Sequence, residues 1–136
     1  MEISHIEHLG IAVKSIEEVL PYFENVLGLK CYKVEEVPDQ KVKTAFLKVG
    51  QTKIELLEPT SDDSTVAKFI ENNKGKGGMH HIAFAVKDGV NKALAECESK
   101  GIRLIDKSAR KGADGLKIAF LHPKSTADVL TELCEG

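Results

Sequence analysis

The strongest constraint in this sequence is an internal repeat. His8-Leu9-Gly10-Ile11-Ala12-Val13 is echoed by His81-Ile82-Ala83-Phe84-Ala85-Val86, and Ala12-Val13-Lys14 recurs as Ala85-Val86-Lys87, 73 residues later. Gly28 and Gly101 keep the same offset. Ala45-Phe46-Leu47 returns as Ala119-Phe120-Leu121 at an offset of 74, and Glu55-Leu56 as Glu132-Leu133 at 77. An offset that grows along the chain places insertions in loops, where they are tolerated. Whatever the first half folds into, the second half must fold into as well.

Each half reads strand, helix, three strands. From His8 to Val13 the apolar residues alternate, so Leu9, Ile11 and Val13 share one face while His8, Gly10 and Ala12 share the other. The first face suits a helix packed against it; the second is small beyond its histidine and leaves room for a ligand. Ser15 opens a helix, with Glu18 three residues on as a capping box. Its apolar stripe is Ile16, Val19, Leu20, Phe23, Val26 and Leu27. Pro21 removes a backbone donor in the second turn and predicts a bend or a late start, and Gly28 is the natural stop.

Strands are expected over Cys31 to Val37, Val42 to Val49 and Lys53 to Leu57, with turns at Pro38-Asp39-Gln40 and Gly50-Gln51. Glu55 and Leu57 then share a face. A polar loop over Thr60 to Ser64 leads to a short helix carrying Val66, Phe69 and Ile70, and Lys74-Gly75-Lys76-Gly77-Gly78 is a flexible link to the second half. There, Asp88 is a candidate cap for a helix bearing Val90, Ala93, Leu94 and Cys97. The expected architecture is α+β: one domain over 1–136, with module one at about 5–59, a linker helix at about 60–77 and module two at about 78–135. Its two pseudo-symmetric βαβββ modules curl curved mixed sheets around a metal-containing cavity.

Charge and composition narrow the function. A net charge of −2 provides no basic field for nucleic acid or an anionic membrane. No apolar run approaches the roughly 18–20 residues that span a bilayer. Met1-Glu2-Ile3-Ser4-His5 resembles neither a signal sequence nor an arginine-rich transit peptide. Cys31, Cys97 and Cys134 are scattered and odd in number, which points to a reduced, cytoplasmic setting.

Pseudo-symmetry brings the inward faces of equivalent strands together, so His8 would face His81 and Glu55 would face Glu132. A lone histidine at a strand start is usually only a hydrogen-bonded side chain. A carboxylate within an apolar strand is rarer, because unpaired buried charge is costly. Two of each at repeat-equivalent places suit a divalent cation such as cobalt, manganese, nickel, zinc or iron, with positions left for a substrate. No cysteine joins, which excludes a closed thiolate zinc site. His80 and His5 fall out of phase and should face away or serve structure. His122-Pro123-Lys124-Ser125-Thr126 is a turn before the last strand, from which Lys124 and Ser125 can touch a polar substrate or cofactor tail.

The repeated unit, His8 with His81, and Glu55 with Glu132 resemble the vicinal oxygen chelate (glyoxalase/bleomycin resistance/dioxygenase) superfamily. Within it, Glu55-Leu56-Leu57-Glu58-Pro59, Gly78-Met79-His80-His81-Ile82-Ala83, Phe120-Leu121-His122-Pro123-Lys124 and Glu132-Leu133 are similar to the methylmalonyl-CoA epimerase family, over about His5 to Glu135. The resemblance implies a homodimeric isomerase that epimerises methylmalonyl-CoA at C2. It implies a metal held at His8, His81 and Glu132, with Gln or Glu at the position of Glu55. Carboxylates then remove and return the C2 proton, with Glu132 and Glu55 as the candidates. Some family members carry a catalytic Glu where this chain has Thr44. Threonine cannot act as the base, so Glu55 or a metal-bound water would assume that role. The scaffold also serves glutathione-dependent glyoxalase-type isomerases and non-catalytic drug-sequestering proteins. The latter bind flat ligands on aromatics, which a chain with no Trp and 5% aromatic residues disfavours.

Overall fold

The computed structural model describes residues 1–135. Its order of elements is β1 (Ile3–Ala12), α1 (Ile16–Pro21), β2 (Cys31–Val37), β3 (Val42–Val49), β4 (Thr52–Pro59), α2 (Thr65–Asn72), β5 (Gly78–Val86), α3 (Val90–Ser99), β6 (Arg110–Lys111), β7 (Lys117–Leu121) and β8 (Thr131–Glu135). The class is α+β, with two βαβββ modules separated by α2. Among the described residues, no helix is long and apolar enough to cross a membrane.

The chain divides into two compact units that do not follow the repeat. One holds Met1–His8 with the chain from His81 onward; the other holds Leu9–His80. Strand β1 is therefore divided just after His8. In the first unit the hydrogen-bonded order is β1-β5-β8-β7-β6. Strands β5 and β8 run parallel, with Ala83 opposite Glu132, while β8, β7 and β6 are antiparallel neighbours. Helix α3 covers one face through Val90, Ala93, Leu94 and Cys97, packed on Val86, Ala119, Leu121 and Leu133. Side chains alternate across a strand, so His81, Ala83, Ile118, Phe120, Glu132 and Cys134 line the opposite face.

In the second unit β2, β3 and β4 form an antiparallel meander. Ala45, Leu47, Ile54 and Leu56 pack on Ile16, Val19, Leu20 and Phe23 from α1 and the turn after it. Ser15 caps α1 as its sequence suggests, its Oγ accepting from the Glu18 N–H at 3.2 Å. The second orphan donor, the Ile16 N–H, goes instead to Glu58 Oε1 of β4 at 2.7 Å. A carboxylate from the sheet therefore satisfies a donor of the first turn and ties the helix start to β4. Pro21 neither bends α1 at once nor delays it. The helix starts on time and continues past Pro21 as a π-helical stretch, Tyr22–Val26, in which the Leu27 N–H reaches Tyr22 O at 3.1 Å.

Two other termini are instructive. Ser64 caps α2, accepting from the Ala67 N–H at 2.9 Å. Asp88 does not cap α3: Gly89, at φ 95°, occupies the cap position and supplies no side-chain bond. Gly77 is required for a different reason, close approach. A Cβ there would stand 2.2 Å from the Ala12 carbonyl oxygen, and backbone cannot swing aside as a flexible side chain can. Gly77→Ala should lower stability by about 1–3 kcal/mol, the usual range for overpacking. A lower urea midpoint at unchanged slope would show it; an unchanged midpoint would mean that the loop relaxes without loss.

Candidate metal centre

Three elements of the first unit deliver one side chain each to a single point: His8 from β1, His81 from β5 and Glu132 from β8. The parallel register of Ala83 with Glu132 sets His81 two residues upstream on the same face of the sheet. His8 Nε2 lies 3.0 Å from His81 Nε2. Glu132 contacts both, with Oε2 3.5 Å from His8 Nε2 and Oε1 3.4 Å from His81 Nε2. Exposure is 4% for His8, 6% for His81 and 4% for Glu132. The two histidines and Glu132 thus lie together.

A carboxylate removed from water needs compensating positive charge or several hydrogen bonds. Here its nearest partners are two imidazole nitrogens that also face each other. The protonation pattern is fixed from behind. Glu7, itself 7% exposed, has Oε1 2.6 Å from His8 Nδ1. An ionised carboxylate only accepts, so Nδ1 carries the proton and the Nε2 lone pair points into the cluster. This is the arrangement by which an outer carboxylate orients a metal-binding imidazole.

The spacing also fits a cation. Donors about 2.1 Å from one ion stand about 3.0 Å apart at right angles and about 3.4 Å apart at tetrahedral angles. The donor atoms of His8, His81 and Glu132 all lie within 4.8 Å of one another, and their closest contacts match those edges. Two borderline nitrogens and one hard oxygen suit a first-row divalent metal.

Packing holds the imidazoles upright. The His8 and His81 rings meet edge to face at 5.1 Å and 87°. Phe120, the cross-strand neighbour of Glu132, stands edge to face against His81 at 5.5 Å. His80 points elsewhere, against Phe69 of α2 at 5.3 Å. Burial pulls its pKa down from 6.5 to about 4, so it is neutral at physiological pH. His5 is engaged with the Ser4 hydroxyl.

Glu55 belongs to the second unit. It is 3% exposed on β4, opposite Phe46 of β3, on the face turned away from α1. Thr44 shares that face and is fully buried, and its hydroxyl has no hydrogen-bond partner among the described residues. Glu35 of β2 is the cross-strand partner of Thr44. Lys124 and Ser125 lie in the turn Pro123–Ser125, where Lys124 is exposed and the Ser125 Oγ accepts from the Arg103 N–H at 3.0 Å.

Sequence reasoning missed Glu7 and the support given by Phe120. Strand alternation assigns Glu7 to the face opposite His8, so periodicity argued against the contact that forms. Phe120 was legible as a repeat of Phe46, without any hint of the histidine it touches.

Residues 7–120 match the family model of the Glyoxalase/Bleomycin resistance protein/Dioxygenase superfamily. The chain is 45% identical over 132 residues to the uncharacterized protein YqjC of Bacillus subtilis, covering 97% of this chain and 92% of that one. It is 37% identical over 131 residues to the human mitochondrial methylmalonyl-CoA epimerase, covering 96% and 73%. Among solved structures it superposes on a variant of the Streptomyces coelicolor methylmalonyl-CoA epimerase in complex with 2-nitronate-propionyl-CoA. That match has a TM-score of 0.93 and 35% identity, and covers 99% and 96%. The chain therefore belongs to the Glyoxalase/Bleomycin resistance protein/Dioxygenase superfamily and, within it, to the methylmalonyl-CoA epimerases, a family of isomerases.

Proposed function

We propose that this protein interconverts (2R)- and (2S)-methylmalonyl-CoA by removing the C2 proton on one face and returning a proton on the other. The observation that carries the reading is the convergence of His8, His81 and Glu132 on one point, with Glu7 aiming the His8 lone pair inward. In this reading those three residues, with Glu55 as the fourth ligand, hold a divalent ion, cobalt foremost. When bound, the ion supplies fixed positive charge for the thioester and carboxylate oxygens, where negative charge develops as C2 loses its proton.

The chain's own residues do the rest. Glu7 keeps His8 in one tautomer, and Phe120 and His8 pack the His81 ring from two sides. Glu132 and Glu55 are carboxylates that can take up a proton at C2, one for each epimer. Thr44, which cannot, leaves Glu55 as the acid–base group of its sheet face. Lys124 and Ser125 contact the CoA tail. The working form is a homodimer in the cytoplasm, acting in propionate metabolism. The dimer is supported by the exposed Ile3 and Ile6 on β1, and the reducing compartment by three cysteines that form no disulfide among the described residues.

Incubated with methylmalonyl-CoA in deuterated water, the metal-loaded protein should introduce deuterium at C2 and equilibrate the epimers. Propionyl-CoA, which lacks the second chelating oxygen, should exchange far more slowly. Equal rates for the two thioesters would remove chelation from the mechanism, and no exchange with either would remove the epimerase reading.

His81→Ala should reduce bound metal from about one ion per chain to near zero by elemental analysis while far-UV circular dichroism stays unchanged. Glu7→Gln, which spares every ligand, should instead weaken metal binding about 10–100-fold. Full retention of tight binding in both variants would sink the site.

Glu55→Gln keeps shape but not basicity. With metal content verified, it should leave one epimer exchanging its C2 proton with solvent while epimerisation stops. Near-normal turnover would make Glu55 a ligand only.

A further inference from the structure

The sheet face that carries His81 and Glu132 also carries one permanent cation that the reading above does not use. Strand β6 is only Arg110–Lys111, and Arg110 stands directly opposite Ile118 of β7. Directly opposed residues project to the same side of a sheet. Arg110 therefore shares a face with Ile118 and Phe120, and across the Phe120–Glu132 pair with Glu132 itself. Its guanidinium carbon lies 5.6 Å from the centre of the Phe120 ring, and the same ring stands against His81. The other residues of that face on β5, β7 and β8 are His81, Ala83, Ala85, Ile118, Phe120, Glu132 and Cys134. None of them is a fixed cation.

The way Arg110 is held is informative. Asp106 Oδ1 accepts from Arg110 Nε at 3.0 Å, and Asp106 Oδ2 accepts from the Phe120 N–H at 2.8 Å. The backbone N–H groups of Ile105 and Asp106 both bond Phe120 O, at 3.0 and 3.2 Å, so Asp106 is fixed to the strand it serves. A carboxylate whose purpose was to neutralise an arginine would take Nε and Nη together in the bidentate fork. Asp106 takes Nε alone. Both Nη groups are left without a protein partner among the described residues, on a side chain that is 39% exposed. Clamped at one edge by Asp106 and stacked on Phe120, the guanidinium is preorganised with its other edge open. That open edge matches the two oxygens of a carboxylate or phosphate.

We infer that Arg110 is the anion anchor of this site, receiving a carboxylate or phosphate oxygen pair of the acyl-CoA on its Nη edge, with Asp106 as the residue that positions it. The inference rests on the acyl-CoA reading above. It adds a specificity determinant, since a thioester that carries no anion within reach of Arg110 loses this contact.

The test is titration calorimetry of methylmalonyl-CoA into the metal-loaded wild type, Arg110→Gln and Arg110→Lys. Arg110→Gln should weaken binding about tenfold or more, the scale of a lost charge-assisted hydrogen bond. Its metal content should match wild type. Arg110→Lys keeps the charge but not the fork and should fall between. Methylmalonyl-pantetheine, which carries no phosphate, separates the two sources: an equal loss on that thioester assigns the carboxylate, and a vanished loss assigns the phosphate. If Arg110→Gln binds both thioesters within twofold of wild type, the anchor is overturned. Because the readout is binding, a wild type that binds but leaves C2 unexchanged would refute the epimerase reading while Arg110 is still judged.

Discussion

The structure of the first unit depends on how one buried carboxylate is compensated. Glu132 sits at 4% exposure, with the Nε2 atoms of His8 and His81 3.5 and 3.4 Å from its oxygens. Two neutral imidazoles do not offset a desolvated charge, whereas a cation bound among all three does. Several other features follow from that need. The parallel β5–β8 pairing sets the height of His81 against Glu132, Phe120 holds the imidazole ring from the side, and Glu7 commits the His8 proton to the far nitrogen. One hydrophobic cluster of this unit lies on the opposite face under α3, and Phe120 joins a second, with Ala83, Ile118 and Cys134, on the face of the site itself.

The second unit shows the same division between a packing face and a chemical face. Ala45, Leu47 and Leu56 pack on α1, while Glu55, Thr44, Phe46 and Lys53 are buried on the other side. Lysine and glutamate are among the residues least often buried, so two of them on one sheet face mark chemistry rather than packing. The unbonded Thr44 hydroxyl points the same way. A core position with no polar task would be cheaper as valine, since a buried hydroxyl without a partner is a net cost.

Much of this was legible in the chain because it is local or periodic. Alternation located β2, β3 and β4 to within a few residues, Ser15 announced α1, and the repeat paired His8 with His81 before any coordinates. What escaped was set by contacts without a local signature. Glu58 captures the Ile16 N–H from 42 residues away, so no capping pattern near α1 could reveal it. Gly89 displaced Asp88 at the start of α3 because its positive φ turns the chain one residue later than a side-chain cap would. Arg110 lies in a strand of two residues, too short to have a period, and its face is known only through its pairing with Ile118. Glu7 meets the His8 ring although alternation places the two residues on opposite faces.

The division of β1 has a consequence for the order of events during synthesis. Leu9–His80 is an uninterrupted stretch, so that unit has all of its residues as soon as His80 has been made. The other unit is discontinuous: it keeps His8 waiting through 73 residues for His81, and through a further 51 for Glu132. Pairings of such long sequence separation are slow, and domains fold as their chains become complete. The three donors are therefore assembled last, and a nascent chain offers a cation only isolated histidines. A cation held by all three donors would in effect report that synthesis has passed Glu132.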